Sequence, residues 1–144
     1  MLYSFPSPEW VQAFEAKLNN DERYATVASK WEGDTLFEIG PDPVDESQQT
    51  RSIYLDLWHG KCRAAHIVDE DHPLAGVPTF TLSAPLANFA KILEGKLDPM
   101  QVMLTRKLRV SGNMVYMMRN VPVVLDFVRF AKEVTLAGLE AEDQ

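Results

Sequence analysis

Apolar and polar positions run along this chain in two rhythms, and the switches between them mark its elements. After Ser7-Pro8, a cap followed by a proline that fits a helix's first turn, Trp10 (or Val11), Phe14 and Leu18 recur at helical spacing. Asp21 opens a second helical stretch, in which Tyr24, Val27, Ala28 and Trp31 keep the period until Gly33-Asp34 ends it. Residues 35–39 read as a short strand. From Arg51 the rhythm alternates, with Ile53, Leu55 and Leu57 on one face and Tyr54, Asp56 and Trp58 on the other. His59-Gly60-Lys61 supplies a hairpin turn, and residues 62–68 return as the partner strand. Two acidic, proline-containing stretches, residues 40–49 and 69–78, have no period and read as surface loops.

Residues 79–113 carry the densest punctuation. A β-branched and aromatic strand at 79–82 leads to Ser83 as a helix cap, with Pro85 in the first turn. Leu86, Phe89, Ala90 and Leu93 then form one apolar helical face, and Gly95 stands where a helix end needs a left-handed residue. Asp98-Pro99 opens a short second helix, and Leu108 and Val110 alternate with charges as a strand until Gly112. Pro122 lies near the start of a last helix that is apolar on more than one side: Val123, Val124, Leu125, Phe127, Val128, Phe130, Ala131 and Val134. Such a helix is covered on both sides, or faces a ligand or a partner. From Gly138 the chain is acidic and is expected to fray. The order of elements indicates an α+β fold, helices against one face of a sheet of about five strands. One domain is expected over 1–144, its core spanning about 10–135, with no internal repeat.

Charge narrows the partners. A net charge of −7 and a pI near 4.9 argue against nucleic acid, which needs a basic face, and against constitutive adsorption to anionic membrane. Lys96, Arg106, Lys107 and Arg109 are the local exception, four of fourteen basic residues within fourteen positions; solvated faces of a turn and a strand are the ordinary explanation. A single cysteine rules out an intrachain disulfide and suits a reducing cytoplasm. MLYSFPSPEW has neither the basic region nor the apolar run of a signal peptide, and no stretch nears the ~20 apolar residues of a span, so stable membrane insertion is not expected.

Candidate chemistry is sparse. The seven glycines are isolated, the closest pair seven positions apart, which excludes the dinucleotide and phosphate loops; the hydrolase elbow is also missing. Asp69, Glu70 and Asp71 read as a solvated loop. His59, Cys62 and His66 invite a zinc site, but His66 lies too far along an extended strand to share an ion with the other two, and no second pair completes four ligands. Nothing in the sequence lowers the Cys62 thiol pKa toward nucleophilic use. No metal, cofactor or catalytic residue is therefore expected; an enzyme reading would require a buried titratable pair in a cleft. Methionine is the informative residue type, with five of six lying between 100 and 118. Its flexible thioether suits surfaces that adapt to variable apolar ligands, although it also fills gaps in ordinary cores. Phe89, Leu93, Val124, Phe127 and Val128 share that ambiguity.

The order strand, serine, helix ending in Gly-Lys-Leu-Asp-Pro, methionine-rich helix and Lys-Leu-x-Val-x-Gly-Asn resembles the sterol carrier protein 2 (SCP-2) domain. The resemblance is carried by Phe89, Gly95, Lys96, Leu97, Pro99, Lys107, Leu108, Val110, Gly112 and Asn113. It spans about residues 10–135 and is densest in the second half. It implies an SCP-2-like sheet of about five strands, covered on one face by helices that enclose an apolar tunnel. It further implies non-catalytic binding and intracellular transfer of apolar lipids: sterol-like molecules, fatty acids, acyl-CoA esters or isoprenoids. The candidate ligand-lining residues are Phe89, Leu93, Met100, Met103, Leu104, Leu108, Met114, Met117, Met118, Val124, Phe127 and Val128. Lys96, Arg106 and Arg109 are candidates for a polar rim, and the last helix or the 69–78 loop for the part that moves during exchange. The alternative is an accessory protein, as some bacterial relatives are in quinone synthesis, presenting a lipid intermediate to an enzyme complex or pairing as a homodimer. One departure stands out: many family members have glycine before the Lys-Leu pair, and this chain has Arg106. The peroxisomal address that eukaryotic relatives often carry is also missing from the final Glu-Ala-Glu-Asp-Gln.

Overall fold

Ser7 caps the first helix as its position predicts, its hydroxyl accepting from the Trp10 N–H at 3.1 Å to open α1 (Pro8–Asn20). The structure is a computed structural model that describes residues 7–40 and 50–142, with the backbone alone from residue 136. The acidic loop expected at 40–49 lies outside the described residues, except for Gly40. Asp21 caps α2 (Glu22–Val27), accepting from the Tyr24 N–H at 2.8 Å. Trp31 falls beyond that helix rather than within it, and is buried with its indole N–H donated to the Gly33 carbonyl at 2.9 Å.

Strand β1 (Thr35–Gly40) is followed by the hairpin of β2 (Arg51–Trp58) and β3 (Lys61–Ile67). The two residues between them, His59 (φ 48°) and Gly60 (φ 80°), both take the left-handed conformation that matches strand twist. Strand β4 (Phe80–Pro85) corrects the expectation that Ser83 caps the next helix. Ser83 instead pairs with Glu38 on one side and Arg109 on the other, so ladder bonding to two neighbours outweighs a cap worth ~1 kcal/mol. Helix α3 (Leu86–Leu93) starts after Pro85 with no side-chain cap.

Two helix ends near the sheet's edge share one backbone device. After α3, Gly95 (φ 81°) closes the turn, and the N–H groups of Gly95 and Lys96 return to the carbonyls of Ile92 and Lys91. Asp98 then caps α4 (Pro99–Leu104), accepting from Met100 N–H at 2.9 Å. Past Thr105, which ends α4, the left-handed residue is not glycine but Arg106 (φ 62°), a conformation that costs a residue with a Cβ ~1–2 kcal/mol. Strand β5 (Arg109–Ser111), α5 (Met114–Arg119) and α6 (Val121–Glu142) complete the chain. The backbone of α6 continues helical through Gly138, where fraying was expected.

The sheet order is β3-β2-β1-β4-β5, with β1 and β4 parallel and the other pairs antiparallel. Ile53, Phe37 and Leu82 stand in register across β2, β1 and β4, and so share one face. Helices α1, α3 and α6 cover that face. Helix α6 explains its apolar breadth by being covered on two sides: Phe127 and Phe130 meet Tyr24 of α2, at ring separations of 6.1 and 5.9 Å, while Phe127 also meets Phe37 of β1 at 6.4 Å; Leu125 alone of its predicted apolar positions is exposed. Polar clamps hold it there. Trp10 donates its indole N–H to Thr135 at 3.1 Å, and Arg129 reaches Asp21, the cap of α2, at 3.4 Å. Asp34, at the start of β1, accepts from the Thr79 N–H and hydroxyl and from the Tyr54 hydroxyl, which ties three strands together.

A candidate lipid cavity with a basic outer groove

Between sheet and helices lies an apolar cavity of about 80 Å³. Its floor is the in-register row Ile53, Phe37 and Leu82, with Leu55 beside it. Its walls are helical faces whose spacing puts them together: Trp10 and Phe14 of α1, Phe89, Ile92 and Leu93 of α3, and Pro99 and Met103 of α4. Val124, Phe127, Val128 and Ala131, at i, i+3, i+4 and i+7 of α6, close the roof, and Leu108 fills the corner before β5. The one hydrogen-bonding side chain in this lining is Trp10, whose N–H is already donated to Thr135. Among the described residues, this lining holds no acid, base or nucleophile.

Met103 and Leu108 also line a second, open depression on the outer side, with Leu104, Arg106, Arg109, Val110 and Met114. They thus touch both spaces. Arg106 and Arg109 in turn border a third depression, shared with Lys107, Asn88 and the end of β4. The Asn88 side chain donates to the Lys107 carbonyl at 3.0 Å and pins this rim to α3. No acid lines either depression among the described residues.

Cys62, His66 and Asp34 lie outside the cavity lining and the depressions. Burial pushes the Cys62 thiol up to about 12, and its Sγ donates to the Ala64 carbonyl at 3.3 Å, the opposite of a nucleophile's setting. His66 stacks between Tyr54 and His72 rather than meeting Cys62, and the described residues contain no group of three or more side chains placed to hold a metal ion. Burial alone would raise the Asp34 carboxyl, but the hydrogen bonds from Thr79 and Tyr54 outweigh it and hold it below the usual carboxylate range.

Of the residues singled out by sequence, Phe89, Leu93, Met103, Leu108, Val124, Phe127 and Val128 line the cavity. Leu104 and Met114 lie in the outer depression. Met100, Met117 and Met118 line neither: Met117 is fully buried in the packed core and Met100 packs half-buried against it. Lys96, expected at the rim, instead pairs with Glu94 at 3.0 Å, whereas Arg106 and Arg109 are placed there. The loop at 69–78 borders neither the cavity nor the depressions. Sequence reasoning missed the floor, because nothing local sets Ile53, Phe37 and Leu82 side by side. The signal available for Trp10 and Phe14 was their helical spacing, which marked them only as core.

Comparison with known proteins follows the same architecture. A search of curated protein sequences returns no match. Among solved structures, a crystal structure of sterol carrier protein 2 superposes with a TM-score of 0.76 at 30% identity, covering 92% of this chain and 98% of that one. The solution structure of a conserved hypothetical protein from Thermus thermophilus, described as possibly a sterol carrier protein, gives a TM-score of 0.72 at 31% identity, covering 93% and 90%. Apo sterol carrier protein 2 from Yarrowia lipolytica, at 19% identity and a TM-score of 0.56 over 85% and 89%, shares the fold. Residues 11–124 match the sequence profile of the SCP-2 sterol transfer family, and the chain belongs to that family.

Proposed function

We propose that the protein is a non-catalytic carrier of a single-chain apolar lipid, held between the sheet and α6. The observation that supports this most is the cavity between sheet and helices lined throughout by apolar side chains, with Met103 and Leu108 shared between it and the outer depression. At about 80 Å³ the cavity is smaller than the ~150 Å³ apolar cavity that accepts benzene, so uptake requires widening. Met103 is suited to that, being unbranched with three rotatable bonds, and its neighbour Leu108 precedes the short edge strand β5. An acyl chain of a dozen carbons offers ~0.8 kcal/mol per buried methylene, roughly 10 kcal/mol in all. After opening and ordering costs this leaves affinity of about micromolar order. The ligand's polar end rests in the outer depression, in contact with water.

Trp10 in the cavity lining and Trp31, whose ring lies 6.0 Å from that of Phe127, supply the fluorescence donors for the test. Titration with a fluorescent long-chain fatty acid is expected to show saturable energy transfer from tryptophan at one ligand per chain. Ala131→Leu, which fills the cavity from α6, should lower the affinity at least tenfold, whereas Leu125→Ala on the exposed side of the same helix should leave it within about threefold. Absence of saturable binding would refute the carrier reading, and an affinity unchanged by Ala131→Leu would place the lipid elsewhere.

A further inference from the structure

Resting on the carrier reading of the same cavity, we infer that Trp10 sets the longest lipid chain the protein holds, as a fixed stop at the end away from the outer depression.

Strand register gives the cavity a direction. One apolar row, Val110, Leu82, Phe37, Ile53 and Ile67, crosses the sheet in register from β5 to β3. Its middle three residues floor the cavity, and Val110 lies in the outer depression. Helix α1 packs on β3, at the other edge of the sheet, and from there Trp10 and Phe14 line the cavity. Val110 and Ile53 stand three strand spacings apart, ~14 Å. An extended chain with C–C bonds of ~1.5 Å advances roughly 1.3 Å per carbon, so about a dozen carbons cover that distance.

The two ends differ in what can move. Trp10 is 3% exposed, stacks on Phe14 at a ring separation of 5.1 Å and an interplanar angle of 11°, and donates its N–H to Thr135 at 3.1 Å. The Thr135 hydroxyl in turn donates to the Ala131 carbonyl at 2.8 Å, which fixes the acceptor's orientation. The other end of α1 is tied down as well. The Asn19 side chain accepts from the Cys62 N–H at 2.8 Å and donates to the Cys62 carbonyl at 3.0 Å, and Lys17 pairs with Glu133 at 3.0 Å. At the opposite end, Met103 and Leu108 have no polar side-chain group to pin them, and the strand beside them is three residues long. The widening that uptake requires therefore comes from the Met103 end, and a chain advancing along the row halts at the indole. Each methylene buried up to that point adds about fourfold to affinity, and those beyond it remain in water.

Displacement of a directly excited fluorescent fatty acid by a series of saturated fatty acids, each kept below its micellar concentration, tests this. Affinity of the parent is expected to rise about fourfold per methylene and to level off near a dozen carbons. Trp10→Leu, which shortens the stop, should move that break to chains about two carbons longer, even where a less well packed core lowers affinity for every chain. If that variant does not fold, Thr135→Val, which keeps the shape but removes the acceptor that pins the indole, should move the break in the same direction. A merely structural Trp10 would lower affinity at every length and leave the break in place. That result in the folded variant, or an affinity that climbs without a break through the whole series in the parent, would overturn the stop. Absence of saturable binding at any chain length would instead sink the carrier reading, and the stop with it.

Discussion

Ala131→Leu sets stability and binding in opposition. Ala131 is 8% exposed and lines the cavity from the middle of α6. Residual cavity volume costs ~24 cal/mol per Å³, so the 80 Å³ void withholds roughly 2 kcal/mol from the empty protein. The added carbons, at ~0.8 kcal/mol each, give about 2.4 kcal/mol by the independent route of transfer from water. These are two views of one quantity and do not add. Fixing the leucine rotamer takes back ~0.5–1 kcal/mol, which leaves a net gain of about 1–1.5 kcal/mol. In a chain this size that is a rise in Tm of roughly 4 °C. The same side chain would occupy space that the ligand requires, and affinity for a long-chain fatty acid should fall at least tenfold. Urea unfolding of lipid-free protein reads the first quantity and fluorescent-ligand displacement the second. Leu125→Ala, on the outer side of the same helix at 45% exposure, serves as the control and should leave binding unchanged. Destabilisation by Ala131→Leu of about 1 kcal/mol or more, the signature of overpacking, would refute the void. Unchanged affinity would refute the ligand's place in it.

Further predictions follow from the polar groups. Asp34→Ala strips three hydrogen bonds from the junction of β1, β2 and β4 and should cost about 2–3 kcal/mol by chemical denaturation. Because the folded carboxyl lies below its ordinary value of 3.8, its contribution is present in full above that value and lost as pH falls through the lower folded one; Asp34→Asn should flatten that part of the acid transition. Arg129→Ala leaves the Asp126 carboxylate, 4% exposed at its side chain, buried without its partner, and should cost roughly 2–3 kcal/mol. The double variant with Asp126→Asn should recover part of that loss, since the buried charge goes with it. Cys62, with its thiol pushed to about 12 and its side chain buried, should resist iodoacetamide at about pH 8 in native protein and react at once in urea; equal rates in the two would contradict its packing.

Local chemistry was legible in the sequence where a single contact decides the backbone. Ser7, Asp21 and Asp98 cap the helices they precede, and His59-Gly60 turns the hairpin, because each such choice is settled within four residues. Ser83 misled for the same reason in reverse: its local signal is a cap, but its strand lies between two neighbours, and pairing prevailed. The parallel pairing of β1 with β4 joins residues some forty-five apart in sequence, Thr35 with Phe80, and leaves no periodic trace. The cavity floor depends on that pairing, so it too was out of reach. Methionine clustering was a poor guide to the interior. Met103 lines the cavity and Met114 the outer depression, while Met117 simply fills the core. The family pattern, carried by turn and strand residues, conveyed the architecture that periodicity could not.

Native mass spectrometry of freshly purified protein, followed by organic extraction of whatever it carries, tests the carrier reading most directly. The account predicts a population bearing one single-chain lipid, released on denaturation and restored by an added fatty acid at micromolar concentration. A bare chain that takes up no fatty acid, alcohol or sterol under the same conditions would contradict it.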